Sequence, residues 1–309
     1  MTILVLSLPR YLRKLNAPRF GATTLLAALF LNTLGLSAHA APTSCPANFY
    51  DGQAPDLVNA KLATHTYSLC FSEFAVLDSG LTRTPLYSAD HLTAERIALA
   101  RRQRRVDAAD TFHEETRLPA QDRAVLSDYA RSGYDRGHMS PNGDMSSASA
   151  QGESFTLANM VPQNPNNNRH LWEGVEATTR TLASRYGDVY VVTVPIFAAA
   201  QTRWLHNRVA IPARLAKAVF VPALRGAAVY LTDNAPGMKW QTISVAQLRD
   251  LSGIDVFPAL PESVKEAAIK LPEPKPFSQS YERRSYSGEN EGEHYSNALL
   301  YHSFKLLMR

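Results

Sequence analysis

Apolar and polar positions alternate in distinct registers along the chain, and the registers predict its elements. "HTYSLCFSEFAVLDS", from His65 to Ser79, is rich in Tyr, Phe, Val and Leu and reads as strand. "SADHLTAERIALARRQRR" then takes a helical spacing, with Leu92, Ile97 and Leu99 as core contacts and Ser88 or Asp90 as the cap. From Asp110 to Asn168 the sequence is mostly polar, and Arg169 to Arg185 predicts a helix that ends near Gly187. "DVYVVTVPIF" predicts a buried strand, "NRVAIPARLAKAVFVPA" and "GAAVYLT" predict further strands, and "SVAQLRDLSGI" predicts a helix closed by Gly253. Strands fall before and after the helix without regular alternation, and no glycine-rich phosphate loop is present. The expected class is therefore α+β rather than a doubly wound sheet.

Both ends of the chain differ from this middle. Arg10, Arg13, Lys14 and Arg19 precede an apolar run from Ala22 to Leu36 and then "SAHA". That order predicts a signal peptide over residues 1–40, cleaved after Ala40. The run is shorter than the roughly 20 apolar residues of a membrane-spanning helix, so export to the periplasm or beyond is expected, without stable membrane association after processing. Residues 41–60 form a polar lead-in with Pro42, Pro46 and Pro55. After Leu271 the composition turns to Pro, Ser and Glu, which predicts a partly flexible tail over 273–309 behind a domain at 41–272. The last stretch, "NALLYHSFKLLMR", is amphipathic enough to dock back onto the domain.

Composition changes this picture in two places. The 309 residues are 45% hydrophobic and 19% charged, enough apolar material for a large core. The formal charge of +4 is misleading, because residues 1–40 hold four of the 32 basic residues and none of the 28 acidic ones. The processed chain is balanced, so attraction for a polyanion has to come from local clusters such as "ARRQRRV". The two cysteines, Cys45 and Cys70, lie in an exported segment without CxxC spacing. A structural disulfide is expected, worth about 3 kcal/mol.

Candidate chemistry concentrates in the polar middle. No HExxH motif and no G-x-S-x-G elbow occurs, which argues against a zinc hydrolase or an α/β-hydrolase. "YDRGHMSPNGDM" places His138 behind Asp135, Arg136 and Gly137, and "ANMVPQNPNNNRHLWEGVE" follows. A histidine in a polar loop is ordinarily only solvated. The two runs together resemble the DNA/RNA non-specific endonuclease family, to which endonuclease G belongs. Asp135-Arg136-Gly137-His138 matches its Asp-Arg-Gly-His signature, and Asn159, Pro162 and Gln163 match its Asn-x-x-Pro-Gln segment. Asn168, Trp172 and Glu176 match the Asn, Trp and Glu of its metal-bearing helix.

The resemblance implies a ββα-metal (His-Me finger) fold with a central antiparallel sheet flanked by helices. It implies hydrolysis of phosphodiester bonds in DNA and RNA with little sequence choice. His138 would be the general base, near its ordinary pKa of about 6.5, and Gly137 would let substrate approach the backbone. Asn168 would hold a divalent ion, Mg²⁺ first and Mn²⁺ or another cation as substitutes. Glu176, two regular helical turns on and about 80° around the axis, would hold a metal-bound water. Arg136 would contact phosphate or pair with a carboxylate, and Arg104 or Arg105 supplies the upstream arginine of the family. Asn159 and Gln163 would brace the loop, Trp172 would be core, and Asp135 and Asp144 would be structural partners.

The chain departs from the family pattern at Val194-Pro195, where Gly-Pro is usual, and at Arg169 and His170, where small polar residues are usual. DNA and RNA are the expected partners, with a second copy of the chain and an inhibitor protein as further candidates. The alternative is a nucleic-acid-binding protein on the same fold with little catalysis.

Overall fold

In the computed structural model, which describes residues 43–103, 111–198 and 201–275, the apolar stretches pair into one seven-stranded sheet. In chain order the elements are β1 (Asp56–Leu57), β2 (Thr66–Cys70), β3 (Ala75–Ser79), β4 (Thr84–Thr93), α1 (Ala94–Ala100), α2 (Leu126–Tyr129) and β5 (Asp135–His138). Then come α3 (Ala148–Ser154), β6 (Met160–Gln163), α4 (Glu173–Tyr186), β7 (Asp188–Ile196), β8 (Arg203–Leu205), β9 (Val209–Ile211) and β10 (Arg214–Val221). The series ends with β11 (Gly226–Asp233), β12 (Trp240–Ile243), α5 (Val245–Ser252), β13 (Ile254–Asp255) and α6 (Glu262–Glu266). The sheet order is β12-β11-β10-β7-β4-β3-β2, antiparallel at every step.

The period-2 alternation of the central strands sorts side chains onto two faces. In β10, Ala216, Ala218 and Phe220 join a cluster with Val245 and Leu248 of α5. Val219 and Val221 point the other way, into a cluster with Val175, Leu182 and Ala183 of α4. The sheet is thus covered by helices on both faces, as the α+β expectation required. Burial of these side chains, at about 1.5–3 kcal/mol each, fixes α4 against the sheet and so sets the height of everything at its N-terminus.

Several expected boundaries shift. Ser88 and Asp90 do not cap a helix; they complete β4, and the Thr93 hydroxyl accepts from the Arg96 N–H to cap α1. The stretch at 84–93 pairs with β7 before the helix can start, so sheet pairing overrides the local helical spacing. Gly253 closes α5 in the left-handed conformation, at φ +73°, as expected.

The chain stays packed through Pro272. The Ile269 N–H donates to the Ala227 carbonyl, Leu271 is buried, and the Tyr230 hydroxyl donates to the Pro272 carbonyl. A side chain at Gly174 would lie 2.9 Å from the Lys275 carbonyl oxygen, so this strap runs directly over the start of α4.

Cys45 and Cys70 are free thiols. They are nonetheless adjacent: burial first, then a hydrogen bond with Cys70, raises the Cys45 pKa to about 11. The proximity that the expected disulfide needs is present, but the bond is not formed. The signal segment at 1–40, Arg104, Arg105 and the tail from 276 lie outside the described residues.

Candidate active site

The polar middle of the sequence folds into a two-stranded ribbon followed by a helix. β5 pairs antiparallel with β6, Asp135 opposite Gln163 and His138 opposite Met160. A side chain at Gly137 would meet the Gln163 amide oxygen and lie 2.6 Å from the Gln163 Cβ. Gly137 is therefore required by the packing of Gln163.

Asn159 braces the ribbon from beneath. Its Oδ1 accepts from the Ser140 N–H and the Ser88 hydroxyl, and its Nδ2 donates to the carbonyls of Ser140 and Ser154. That is the bracing role expected of it. Gln163 donates to Asn167 Oδ1 at 2.8 Å and ties the ribbon to the next element.

After β6 the chain enters α4 through a π turn, Asn167–Trp172. Its three consecutive asparagines go to three places. Asn166 accepts from the Gly237 N–H, Asn167 is buried between Gln163 and the Asp233 carbonyl, and Asn168 faces the cavity. The Asn168 Nδ2 donates to Asp135 at 2.9 Å, and Arg169 closes a two-point fork on the same carboxylate at 2.8 and 2.7 Å. Among the described residues no hydrogen bond falls on Asn168 Oδ1. Trp172 is fully buried, as expected of a core residue. The π turn carries about one residue more per turn than an α-helix, so the 80° offset inferred between Asn168 and Glu176 from regular winding does not apply.

A cavity of about 660 Å³ brings together Arg136, His138, Asn168, Asp135 and Arg169, with Phe112, Tyr129, Tyr134 and Phe155 as its aromatic wall. The His138 ring meets Phe155 edge-on at 5.0 Å between centroids, and its Nε2 is enclosed without a hydrogen-bond partner. Burial lowers its pKa to about 4, well below the ordinary value assumed from sequence. The imidazole is consequently neutral throughout the physiological range, free to accept a proton. Arg136 stacks its guanidinium 4.0 Å above the Phe112 ring centroid, which fixes the cation beside His138.

Glu176 lies behind this cavity rather than in its lining. Burial raises its pKa to about 8; Lys217 and Arg180 act against that, while Asp144 and Glu173 add to it. Asp144 is a structural partner as expected, accepting from Arg180 Nη1 at 2.9 Å. Asp90 is pushed up to about 7 by burial and by Asp144, against the pull of Lys217 and Arg96. Lys217, Phe112 and Phe155 were not singled out from the sequence, and Asp90 was read only as a helix cap. The available signal for Lys217 was a lone lysine inside the apolar strand "LAKAVFV".

The donor set suits a hard cation that keeps most of its waters. Asp135 pins the amide nitrogen of Asn168, which turns the neutral carbonyl oxygen outward. Among the described residues no group of three or more His, Cys, Asp or Glu forms a metal cage. One protein oxygen with water at the remaining positions is the pattern Mg²⁺ favours.

Residues 54–263 match the family model for DNA/RNA non-specific endonucleases. The mitochondrial nuclease EXOG of Danio rerio is 33% identical over 199 residues, 58% of this chain and 57% of that protein. EXOG of Xenopus laevis is 30% identical over 277 residues, 76% of this chain and 75% of that protein. The chain spans little more than half the length of the zebrafish relative. A chain from the crystal structure of the EndoG/EndoGI complex, which addresses EndoG inhibition, superimposes with a TM-score of 0.56 at 25% identity. That match covers 64% of this chain and 88% of the other.

Proposed function

The chain belongs to the DNA/RNA non-specific endonuclease family, and on that premise we propose that it hydrolyses phosphodiester bonds in both DNA and RNA. The observation that carries this reading is the cavity in which a neutral, half-buried His138, the stacked Arg136 and Asn168, held by Asp135, converge. His138 takes a proton from water as its oxygen bonds to phosphorus, and the bond to the 3′-oxygen breaks, that oxygen taking a proton from solvent. The products are a 5′-phosphate and a 3′-hydroxyl. Arg136 lies ready to offer its fork to a phosphate oxygen. A divalent cation held by Asn168, Mg²⁺ or Mn²⁺, supplies neutralisation of the phosphate and the leaving oxygen when bound. Glu176, set back from the cavity lining, would act on such a cation through a water, and Arg104 or Arg105 would add phosphate contact from the upstream segment.

The low pKa makes His138 a dependable acceptor but a weak base. Its contribution is to be unprotonated and fixed, so proximity rather than basicity accounts for the step. The basic and then apolar segment before Ala41 supports export, whereas EXOG relatives are named as mitochondrial; N-terminal sequencing of the processed protein decides between secretion and organelle delivery. An inhibitor protein and a second copy of the chain are the proposed protein partners. The inhibitor is supported by the EndoG/EndoGI complex.

Plasmid DNA and RNA incubated with residues 41–309, with Mg²⁺ or with a chelator, test the reading. Both polymers should be cut only with the metal, and His138→Ala should cut neither at a comparable rate. Retained binding with both polymers intact across several divalent ions would instead favour the non-catalytic binding protein.

A further inference from the structure

Lys217 is 1% exposed in the middle of β10. It points to the face of the sheet that carries α4, alongside Leu215, Val219 and Val221. Burying an ammonium is costly unless its charge and its donors are engaged. Here the Nζ donates to the Thr193 hydroxyl at 2.7 Å and to the Met139 carbonyl at 3.2 Å, and it lies 5.4 Å from the centroid of the Trp172 ring.

The three contacts belong to three different parts of the molecule. Thr193 is the cross-strand partner of Lys217 on β7, so the ammonium is anchored to the rigid centre of the sheet. Met139 directly follows His138 at the end of β5. Trp172 closes the π turn that begins beside Asn168. Met139, Trp172 and Leu215 also form one small apolar cluster with Val161, which leaves the ammonium as the polar tie across an otherwise dry contact.

We propose that Lys217 is a positioning residue for the nuclease reaction: its ammonium joins the strand bearing His138 and the turn bearing Asn168 to the central sheet. β5 and β6 form their own two-stranded ribbon and share no ladder with the seven-stranded sheet, so side chains make the join: Ser88 of β4 donates to Asn159 beneath the ribbon, and Lys217 of β10 reaches the Met139 carbonyl next to His138. The competing role is that of a plain counter-ion for buried Asp90 and half-buried Glu176, both of which feel its charge.

The proposal rests on the nuclease reading above, and the experiment separates the two. Wild type, Thr193→Val, Lys217→Met and Lys217→Met/Asp90→Asn are compared by thermal unfolding, by kcat and KM on a short oligonucleotide, and by the His138 imidazole NMR resonances in metal-free protein. Lys217→Met should lower both Tm and kcat, the latter about 100-fold, the scale of a small misplacement of a catalytic group, with KM unchanged. Replacing Asp90 as well removes the carboxylate left unpaired, so Tm recovers while kcat stays low and the His138 resonances stay displaced.

Thr193→Val keeps the cation and the fold but loses one anchor, and should lower kcat about tenfold at unchanged KM. Wild-type kcat in Thr193→Val, or recovery of kcat together with Tm in the double variant, overturns the tie. An inactive wild type overturns the nuclease reading instead, and the resonances then still report whether Lys217 sets the position of His138.

Discussion

The depressed pKa of His138 makes a quantitative prediction about stability. In the unfolded chain the imidazole titrates near 6.5, and in the fold burial lowers it to about 4. Between those values the unfolded chain binds the extra proton, so stability rises with pH through the window. The contribution is intact above the unfolded value and is lost as pH falls toward the folded one. At about pH 5 the loss amounts to about 2 kcal/mol, which for a chain of this size is a fall in Tm of about 4–8 °C.

His138→Gln has no such proton to bind. Asp90 and Glu176, whose folded pKa values are raised to about 7 and about 8, contribute in the opposite direction. They do so in both proteins and cancel in the comparison. Thermal unfolding of metal-free wild type and His138→Gln at about pH 7.5 and about pH 5 reads the difference of differences, expected near 2 kcal/mol. Parallel losses in the two proteins would mean that His138 titrates at its ordinary pKa in the fold, and the account of a half-buried, neutral base would be wrong.

Three further outcomes follow from the site. Asp135→Ala releases the Asn168 amide and the Arg169 fork, and should raise the Mg²⁺ concentration for half-maximal cleavage about 10–100-fold; a metal titration checks it. Gly137→Ala forces Gln163 aside and should destabilise by about 1–3 kcal/mol in urea unfolding. Arg180→Met leaves Asp144, 2% exposed, without its partner, and should cost about 3–5 kcal/mol in the same assay.

What the sequence made legible was local chemistry and local period. The strands at 188–196 and 214–221 stood out because both faces are buried and the apolar runs are continuous. His138 and Asn168 stood out because two short motifs occurred together. What escaped was anything fixed by pairing at a distance. Asp90 looked like a helix cap because its neighbours have helical spacing, yet its strand partners lie a hundred residues downstream on β7. Lys217 drew no reading from the sequence, since its partners Thr193, Met139 and Trp172 are adjacent only after folding. The pKa of His138 was equally out of reach: Phe155 and the buried wall around it lower the value, and nothing in Asp-Arg-Gly-His encodes them.

The π turn at Asn167–Trp172 sets the phase between Asn168 and the rest of α4. A helix wound with one residue fewer in this segment would carry everything before it about 100° around the axis. Asn168 would then leave the cavity wall while keeping both its neighbours and its sequence. Sequence distance and angular position are thus uncoupled at this point of the chain. A single-residue deletion between 167 and 172 acts as a rotation of the site rather than a shortening of it, and conserving eight positions from Asn168 to Glu176 does not by itself conserve their alignment.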